Sequence, residues 1–217
     1  MRWPLLEGIG DDEVRELMSI ARRRRFARGE VVFHERDPAD TLHLVSKGRF
    51  AVRISTPLGD TAILTVLGPG DMFGELALLG GEDPRRSATV SALEAGETMS
   101  VHRIDFDGLR DRHPETADVL IAILAGQVRR LSGHLVEALY VPAEKRVRRR
   151  LLEVASRYGE GPGTVVPLTQ DDLADLAGTS RATVNRVLRE EEERGTVELG
   201  RGRTTIRDPE QIARRGR

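Results

Sequence analysis

The sequence contains no cysteine, few aromatic residues and no long apolar run. A chain without cysteine forms neither disulfides nor thiolate-bound zinc or iron–sulfur sites, and this indicates a reducing compartment, the cytoplasm. A membrane-spanning helix needs about 18 or more apolar residues in succession. No such run is present, so we expect no contact with a membrane. The first residues have no apolar stretch after Arg2, so we expect that they are not a signal peptide.

The sequence also lacks the motifs of common enzyme classes. It has no phosphate-binding Walker loop, no serine nucleophile elbow and no pair of zinc-binding histidines at helical spacing. Its five histidines are scattered, at positions 34, 43, 102, 113 and 134. We therefore predict a binding protein that is not an enzyme and needs no metal.

Charge is balanced over the whole chain but not along it. Residues 142–217 contain 16 Lys and Arg against 13 Asp and Glu, whereas the preceding residues contain 18 against 22. The C-terminal part is therefore the more basic one, which indicates that it meets a polyanion.

One long helix organises the chain. Between Pro114 and Pro142, apolar residues recur at alternating steps of four and three, the pattern of two helices packed along their length. About 25 residues make a rod of roughly 37 Å, which suits the axis of a homodimer. A helix packed within its own chain is the alternative. The predicted seam residues are Ala117, Ile121, Leu124, Val128, Leu131, Leu135 and Ala138. The residues predicted to pack on the helix's own domain are Leu120, Ile123 and Leu139.

Before this helix, short alternating segments separated by glycine and proline predict an antiparallel β-barrel or jelly roll. A helix capped by Asp11 or Asp12 comes first, and the basic run Arg22–Arg25 is interpreted as the solvated end of that helix. A helix near Phe106–Arg112 closes the domain. The predicted strands are Val31–His34, Thr41–Val45, Arg49–Ile54, Thr61–Val66, Ala88–Ala92 and Thr98–Ile104.

Residues 68–80 and 84–90 predict a ligand pocket in this domain. Gly74 permits a tight turn into a short helix at Glu75, and Arg86 and Ser87 return on the next strand. A forked arginine and a serine hydroxyl suit a phosphate, and an acceptor-only glutamate suits a sugar hydroxyl. A nucleotide site is one interpretation, and a Glu75–Arg86 pair that braces a turn of the barrel is the other.

After Pro142 the pattern predicts a winged helix-turn-helix, with Gly178 in its turn and the last ten residues frayed. The predicted elements are helices over Glu144–Tyr158, Gln170–Ala177 and Arg181–Arg194 and a hairpin of strands Thr196–Leu199 and Thr204–Arg207. Arg181 begins the second helix of the motif, where a side chain reaches a guanine edge in the major groove. The outer face of that helix presents Arg181, Ala182, Asn185 and Arg189. The further predicted DNA contacts are Thr169, Gln170, Ser180, Thr183, Arg186, Arg201 and Arg203.

The pocket stretch and the helix-turn-helix together resemble the bacterial family of the cyclic-AMP receptor protein and the fumarate–nitrate regulator, over about residues 5–206. The resemblance implies an α+β fold with a β jelly-roll cyclic-nucleotide-binding domain over 1–114, a dimerisation helix over 115–141 and a winged helix-turn-helix domain over 142–217. It also implies cyclic AMP as the effector and, as partners, a palindromic DNA operator, a second copy of the chain and RNA polymerase. The implied effector-binding residues are Gly74, Glu75, Leu76, Arg86, Ser87, Ala88, Leu131 and Ser132.

Two departures from the family pattern bear on specificity. Leu131-Ser132 stands where the cyclic-AMP receptors place a Thr-Ser pair against adenine, and leucine cannot hydrogen-bond a base amine. Ala182 stands where the family commonly has glutamate, so it cannot accept a hydrogen bond from a cytosine amine. Cyclic GMP, a gas sensed through haem, or no ligand at all are the alternatives for the effector. A cyclic-nucleotide-controlled module that binds protein is the alternative from another functional class.

Overall fold

The computed structural model describes residues 3–79 and 84–217. Gly80 of the predicted pocket stretch and the first two residues, on which the signal-peptide prediction rests, lie outside the described residues. The chain divides into two compact units, one of Met1–Ile54 and Leu67–Arg130, the other of Ser55–Val66 and Leu131–Arg217. The predicted three-part division stays a prediction.

The first part of the chain forms helices and short strands in the predicted alternation. After a 3-10 turn at Pro4–Leu6, the elements are α1 Asp11–Ile20, β1 Arg22–Phe26, β2 Val31–Phe33, β3 Thr41–Lys47, β4 Phe50–Ser55, β5 Thr61–Leu67, β6 Met72–Phe73, α2 Glu75–Leu78, β7 Thr89–Ala92, β8 Gly96–His102, α3 Arg103–Arg112 and α4 Glu115–Tyr140. The strands form two four-stranded sheets, with the orders β1-β8-β3-β6 and β2-β7-β4-β5. Every pairing with a resolved register is antiparallel, which confirms the predicted antiparallel jelly roll.

Two apolar clusters hold this unit together. One joins the sheet to its helices, with Leu44, Phe106 and Leu120 in its buried part. The other is aromatic and contains Phe26, which meets Phe50 edge-on at 5.7 Å between ring centroids. Burying a side chain of this size stabilises the folded state by roughly 1.5–3 kcal/mol. Alternate residues of the strands supply these clusters, so the period-2 pattern of the sequence places the core.

Three local predictions in this unit are wrong. Arg22–Arg25 is not the end of α1 but most of strand β1, because its backbone pairs with β8 while its side chains remain in solvent. The residue that caps α1 is Gly10; Asp11 and Asp12 lie inside its first turn. The last predicted strand ends at His102, whose side chain accepts a hydrogen bond from the backbone N–H of Ile104 and thereby starts α3.

Helix α4 leaves most of its predicted seam uncovered within one chain. Ile121, Val128 and Leu135 are 61–63% exposed. Leu120 is buried and Ile123 packs against the first cluster, as predicted. Leu124 also packs there, although we assigned it to the seam, and Leu139 is 65% exposed, although we assigned it to the core.

The length and composition of α4 alone would allow it to cross a membrane. The expectation that no segment could span a membrane therefore needs correction. Scattered polar residues interrupt the apolar run of α4, but the mean hydropathy of the helix is high enough for a span. Most of it is unburied within the single chain. Length and composition do not distinguish a span from a helix that packs on a second protein chain.

The second part of the chain forms helices around a small sheet. Its elements after α4 are α5 Ala143–Tyr158, β9 Val165–Val166, α6 Gln170–Ala177, α7 Arg181–Glu193, β10 Val197–Gly200, β11 Arg203–Ile206 and α8 Pro209–Gly216. The sheet has the order β10-β11-β9. The prediction of a frayed C-terminus is wrong, because Asp208 caps α8 and Ile212 is fully buried.

Candidate ligand pocket and nucleic-acid interface

The pocket stretch turns sharply at Gly74. This residue has φ 89° and ψ 3°, in the left-handed region, and precedes α2. A Cβ there would lie 2.6 Å from Arg86 Nη1 and 2.9 Å from the carbonyl oxygen of Thr41. Both the conformation and the space therefore require glycine at this position. The turn brings the start of α2 next to the side chain of Arg86.

Arg86 is a buried arginine with an unused donor. It is only 5% exposed. Nη1 donates to the Thr41 carbonyl at 2.8 Å and Nη2 donates to Thr41 Oγ1 at 2.7 Å. Its Nε is buried and has no hydrogen-bond partner among the described residues. Burial lowers the pKa of Arg86, and the nearby carboxylates of Asp40, Asp37 and Glu75 oppose that shift.

Glu75 faces α4. It is 6% exposed, and its Oε1 accepts a hydrogen bond from Gln127 Nε2 at 3.2 Å. In the described part of the chain, Arg86 makes no ion pair with Glu75; its bonds go to Thr41 and Gly74. This geometry disfavours the interpretation of the two residues as a structural brace. Thr41 and Gln127 were not among the predicted site residues.

The other predicted effector residues differ in exposure. Ala88 is buried, whereas Ser87 and Leu76 are exposed. Ser87 directly follows Arg86 in the sequence, and Leu76 lies two residues after Gly74. Leu131 is 38% exposed and Ser132 is exposed, both on α4. No group of three or more His, Asp or Glu side chains that could hold a metal ion is found among the residues described. The expectation that the protein needs no metal stays a prediction.

The helix-turn-helix is held by two caps and a glycine. Thr169 and Asp172 form a reciprocal capping box at the start of α6. Gly178 ends α6 with φ 58°. Ser180 caps α7, its Oγ accepting from the backbone N–H of Thr183 at 3.2 Å. These caps use the side chains of Thr169 and Ser180, and Ser180 Oγ also lies 3.0 Å from Thr183 Oγ1. We predicted that all three side chains contact DNA phosphates.

The outer face of α7 is exposed and positively charged. Arg181, Arg186 and Arg189 have side chains that are 54–68% exposed, and Ala182 and Asn185 are exposed as well. Each arginine has an acidic neighbour within the unit: Asp171 at 3.5 Å, Glu144 at 2.6 Å and Glu192 at 2.7 Å, respectively. Asn185 donates to the side chain of Gln170 at 3.1 Å. The predicted reading face is therefore assembled, with its cations in exchangeable surface ion pairs.

The β10–β11 hairpin adds two cations. Arg201 and Arg203 are exposed at its tip, around Gly202 with φ 66°. A cleft of about 380 Å³ separates this hairpin from the start of α7. Its lining includes Gln170, Arg181 and Arg203. The structure thus places Arg203, one of the two predicted wing residues, on the same cleft as Arg181 of the predicted reading helix.

A buried ion cluster, which the sequence did not reveal, anchors α7. Glu191 is fully buried and accepts from Arg148 Nε at 2.7 Å, from Arg215 Nε at 3.0 Å and from Thr196 Oγ1 at 2.6 Å. Burial by itself raises the pKa of Glu191, but the hydrogen bonds from Arg215, Thr196 and Arg148 outweigh it and lower the pKa to about 2. The carboxylate therefore ties α7 to α5 and α8.

These two sites on these two folds define a class of protein: a regulator that joins a cyclic-nucleotide-type jelly roll to a winged helix-turn-helix through a long helix. Residues 23–113 match the cyclic nucleotide-binding domain family, and residues 145–215 match the Crp-like helix-turn-helix domain. The chain belongs to the Crp/Fnr family of transcription regulators, and the members that it resembles are DNA-binding regulators, not enzymes.

Similarity to relatives extends over nearly the whole chain. The chain is 33% identical to the CRP-like cAMP-activated global transcriptional regulator of Mycobacterium tuberculosis, covering 98% of this chain and 96% of that protein. It is 36% identical to the cyclic AMP receptor protein of Thermus thermophilus, covering 94% and 93%. Among solved structures, the Thermus thermophilus catabolite activator protein matches with a TM-score of 0.56 and 35% identity over 97% and 98% of the two chains.

Proposed function

We propose that the protein is a homodimeric transcription regulator whose DNA binding is controlled by cyclic AMP. The observation that supports it most is Arg86, a buried guanidinium with a free Nε beside a turn that only glycine can make. Such a donor suits one anionic oxygen in a water-poor pocket. Of the relatives named above, one is described as cAMP-activated and another as a cyclic AMP receptor protein, which favours cyclic AMP among anions of this kind.

The pocket offers complementary groups to the two polar parts of the nucleotide. Arg86 Nε and the exposed hydroxyl of Ser87 suit the cyclic phosphate. Glu75, an acceptor, suits the ribose hydroxyl, which would take the place of Gln127 as its hydrogen-bond donor. As the family resemblance implies, Ser132 of a second copy of the chain is proposed to supply a hydroxyl for the base, and Leu131 offers no hydrogen bond to it.

A ligand that displaces Gln127 from Glu75 acts directly on α4, since Gln127 belongs to that helix. Farther along, Arg146 donates to the carbonyl of Val141, just after α4, and to the carbonyls of Ala177 and Gly178 in the helix-turn-helix turn. The segment Leu139–Pro142 is thus tied to the DNA-reading element. We infer that the ligand shifts an equilibrium between DNA-competent and misaligned arrangements of the two DNA-binding domains.

The exposed seam of α4 is the proposed dimer surface. Replacing Val128, which is 63% exposed, by glutamate places like charges face to face at the axis. It also removes valine burial worth about 1.5–3 kcal/mol on each chain. We therefore expect the dissociation constant of the dimer to increase at least roughly 100-fold. Analytical ultracentrifugation measures it.

Ala122→Glu is the matched control, because Ala122 is exposed on the same helix but off the seam. It should leave the dimer intact. A wild-type protein that sediments as single chains at every concentration, with and without DNA, contradicts the proposed dimer.

The proposed DNA target has two half-sites about one helical turn apart, as the symmetry of a dimer requires. A gel-shift series with such a duplex, with and without cyclic AMP, tests the function as a whole. We expect tight, salt-sensitive binding only when the nucleotide is present. Equal binding with and without it would assign the protein to the ligand-independent alternative. Being a transcription regulator, the protein is proposed to act in the cytoplasm with RNA polymerase.

Arg181 is the residue proposed to read a guanine. Replacing it by alanine should cost roughly 1–3 kcal/mol on the specific site and leave nonspecific binding in place. Arg201→Ala is the control, because an exposed cation of the hairpin should weaken binding to all sequences alike and reduce its salt dependence. Gel shifts against single-base variants of the duplex separate the two patterns. An Arg181→Ala protein as selective as the wild type would remove Arg181 from the reading face.

A further inference from the structure

An aromatic ring lies against the pocket arginine. The Cζ of Arg86 is 4.1 Å from the centroid of the Phe33 ring, within the range of a cation–π contact. Phe33 ends strand β2 and is half-buried. It packs against the aromatic cluster, 5.7 Å from Phe73 between ring centroids. The ring is therefore itself fixed, and its face is available to the guanidinium.

Thr41 holds the same guanidinium along another edge. Its carbonyl and its hydroxyl accept from the two Nη atoms of Arg86, so that both terminal nitrogens are occupied. Gly74 lies directly beside Nη1: a Cβ at this position would be only 2.6 Å from that nitrogen. Of the guanidinium nitrogens, Nε is thus the one left without a partner among the described residues.

A second layer supports Thr41. Its Oγ1 lies 3.5 Å from His43 Nε2, and His43 Nδ1 lies 3.1 Å from Thr98 Oγ1. The imidazole stacks on Phe73 at 4.9 Å, with 3° between the planes. Burial, together with the charges of Arg86 and Arg24, lowers the pKa of His43 to about 3. His43 is therefore neutral near pH 7 and adds no positive charge beside Arg86.

We propose that Phe33 is a positioning residue for the ligand phosphate: its ring, together with Thr41, holds the Arg86 guanidinium in one orientation and directs Nε at one of the two non-bridging phosphate oxygens. This inference rests on the proposed function, because it assumes that the pocket binds a cyclic nucleotide. The contacts with Phe33 and Thr41, which belong to the protein itself, orient the guanidinium. Binding then loses little side-chain freedom, which favours affinity.

A single fixed donor makes the two non-bridging oxygens unequal. In the Rp and Sp phosphorothioates of cyclic AMP, sulfur replaces one oxygen or the other, and sulfur is the weaker hydrogen-bond acceptor. The wild-type protein should therefore bind the two isomers with clearly different affinities. Without the ring, the guanidinium can tilt toward either oxygen, and the difference between the isomers should shrink. A role of Phe33 in packing alone would not change this ratio.

The experiment measures the affinity for cyclic AMP and both phosphorothioates by calorimetry, and the melting temperature of each protein. Phe33→Leu should weaken cyclic AMP binding by up to roughly 30-fold, from the ~2 kcal/mol of a desolvated cation–π contact, and bring the isomer ratio toward one. Phe33→Met, which also lacks a ring but keeps an unbranched apolar chain, should do the same if the leucine variant folds poorly. Phe33→Tyr, which keeps the ring, should restore both readouts.

Phe26→Leu is the matched control. Phe26 belongs to the same aromatic cluster and is 4% exposed, and its ring meets Phe50 and Arg24. This substitution should lower the melting temperature and keep the isomer ratio. A ratio unchanged in the ringless Phe33 variants, or changed equally by Phe26→Leu, overturns the positioning role. A wild-type protein that binds none of the three nucleotides overturns the proposed function instead, and the inference with it.

Discussion

Replacing Arg86 by alanine should weaken cyclic AMP binding by at least roughly 30-fold, because truncating one partner of a buried, hydrogen-bonded charge pair costs about 2–5 kcal/mol. The variant loses the one unpartnered guanidinium donor described in the pocket. The fold should remain, because the Arg86 side chain is bound by Thr41 on β3 and by Gly74 in the turn after β6. The backbone pairing of β3 with β6 and β8 does not involve the Arg86 side chain. Calorimetry of nucleotide binding checks the first expectation, and thermal unfolding checks the second.

Two further variants make this result specific. Arg85→Ala removes a neighbouring, exposed arginine and should leave nucleotide affinity unchanged. Arg86→Lys keeps the charge but loses the planar fork that lies on Phe33 and bonds Thr41 twice, so it should recover only part of the affinity. Full affinity in the alanine variant would place the ligand elsewhere and remove Arg86 from the site.

The parts of this pocket that are close in sequence were predictable, and the parts that are distant were not. Gly74, Glu75 and Arg86 stand out because a left-handed turn, a carboxylate and a cation occur within one short stretch. Thr41 lies 45 residues from Arg86, and Gln127 lies 52 residues from Glu75. Only the pairing of β3 with its neighbours and the packing of α4 bring them into the site. A threonine, a glutamine or a phenylalanine on a sheet or helix carries no signal for this.

The mistaken elements have a related cause. The charge of Arg22–Arg25 suggested a solvated helix end, but the antiparallel pairing with β8 determines its backbone, and a β-strand tolerates cations whose side chains remain in water. For α8 the local signals were present: Asp208 is a cap, Pro209 occupies the first turn, and Ile212 is the buried anchor. The prediction of a frayed end followed the general tendency of chain termini to be poorly ordered. Amphipathic pattern and caps placed α6 and the start of α7 correctly, since these depend on neighbouring residues alone.

The largest stability effect is expected at Glu191. Replacing it by alanine leaves Arg148 and Arg215 without the carboxylate that binds both, and Arg148 has a side chain only 9% exposed. Breaking a buried ion pair by removing one partner costs about 3–5 kcal/mol. The measurement is chemical unfolding of the full chain, followed by circular dichroism. A chain with two compact units need not unfold in one step, so the data are fitted for more than one transition.

Glu193→Ala is the control for this substitution. It lies two residues further along the same helix, and its side chain is exposed. Surface substitutions of this kind change stability by about 0.5 kcal/mol or less. If Glu191→Ala were no more destabilised than Glu193→Ala, the buried cluster would contribute nothing to the anchoring of α7. DNA affinity should fall with stability in the first variant only, because α7 presents Arg181.

Acid should remove the stabilisation that the Glu191 carboxylate provides, and the pKa of that carboxyl group determines the pH range in which it is lost. The pKa of Glu191 falls from an ordinary value of 4.5 to about 2 in the folded protein. The carboxylate therefore stabilises the fold fully above pH 4.5, and the stabilisation is lost as pH falls toward 2. The free energies of unfolding of wild type and Glu191→Gln, which has the same shape but no charge, should differ by a constant amount above that range and converge within it. A difference that stays constant down to pH 2 would mean that the charge of Glu191 is not what holds α5, α7 and α8 together.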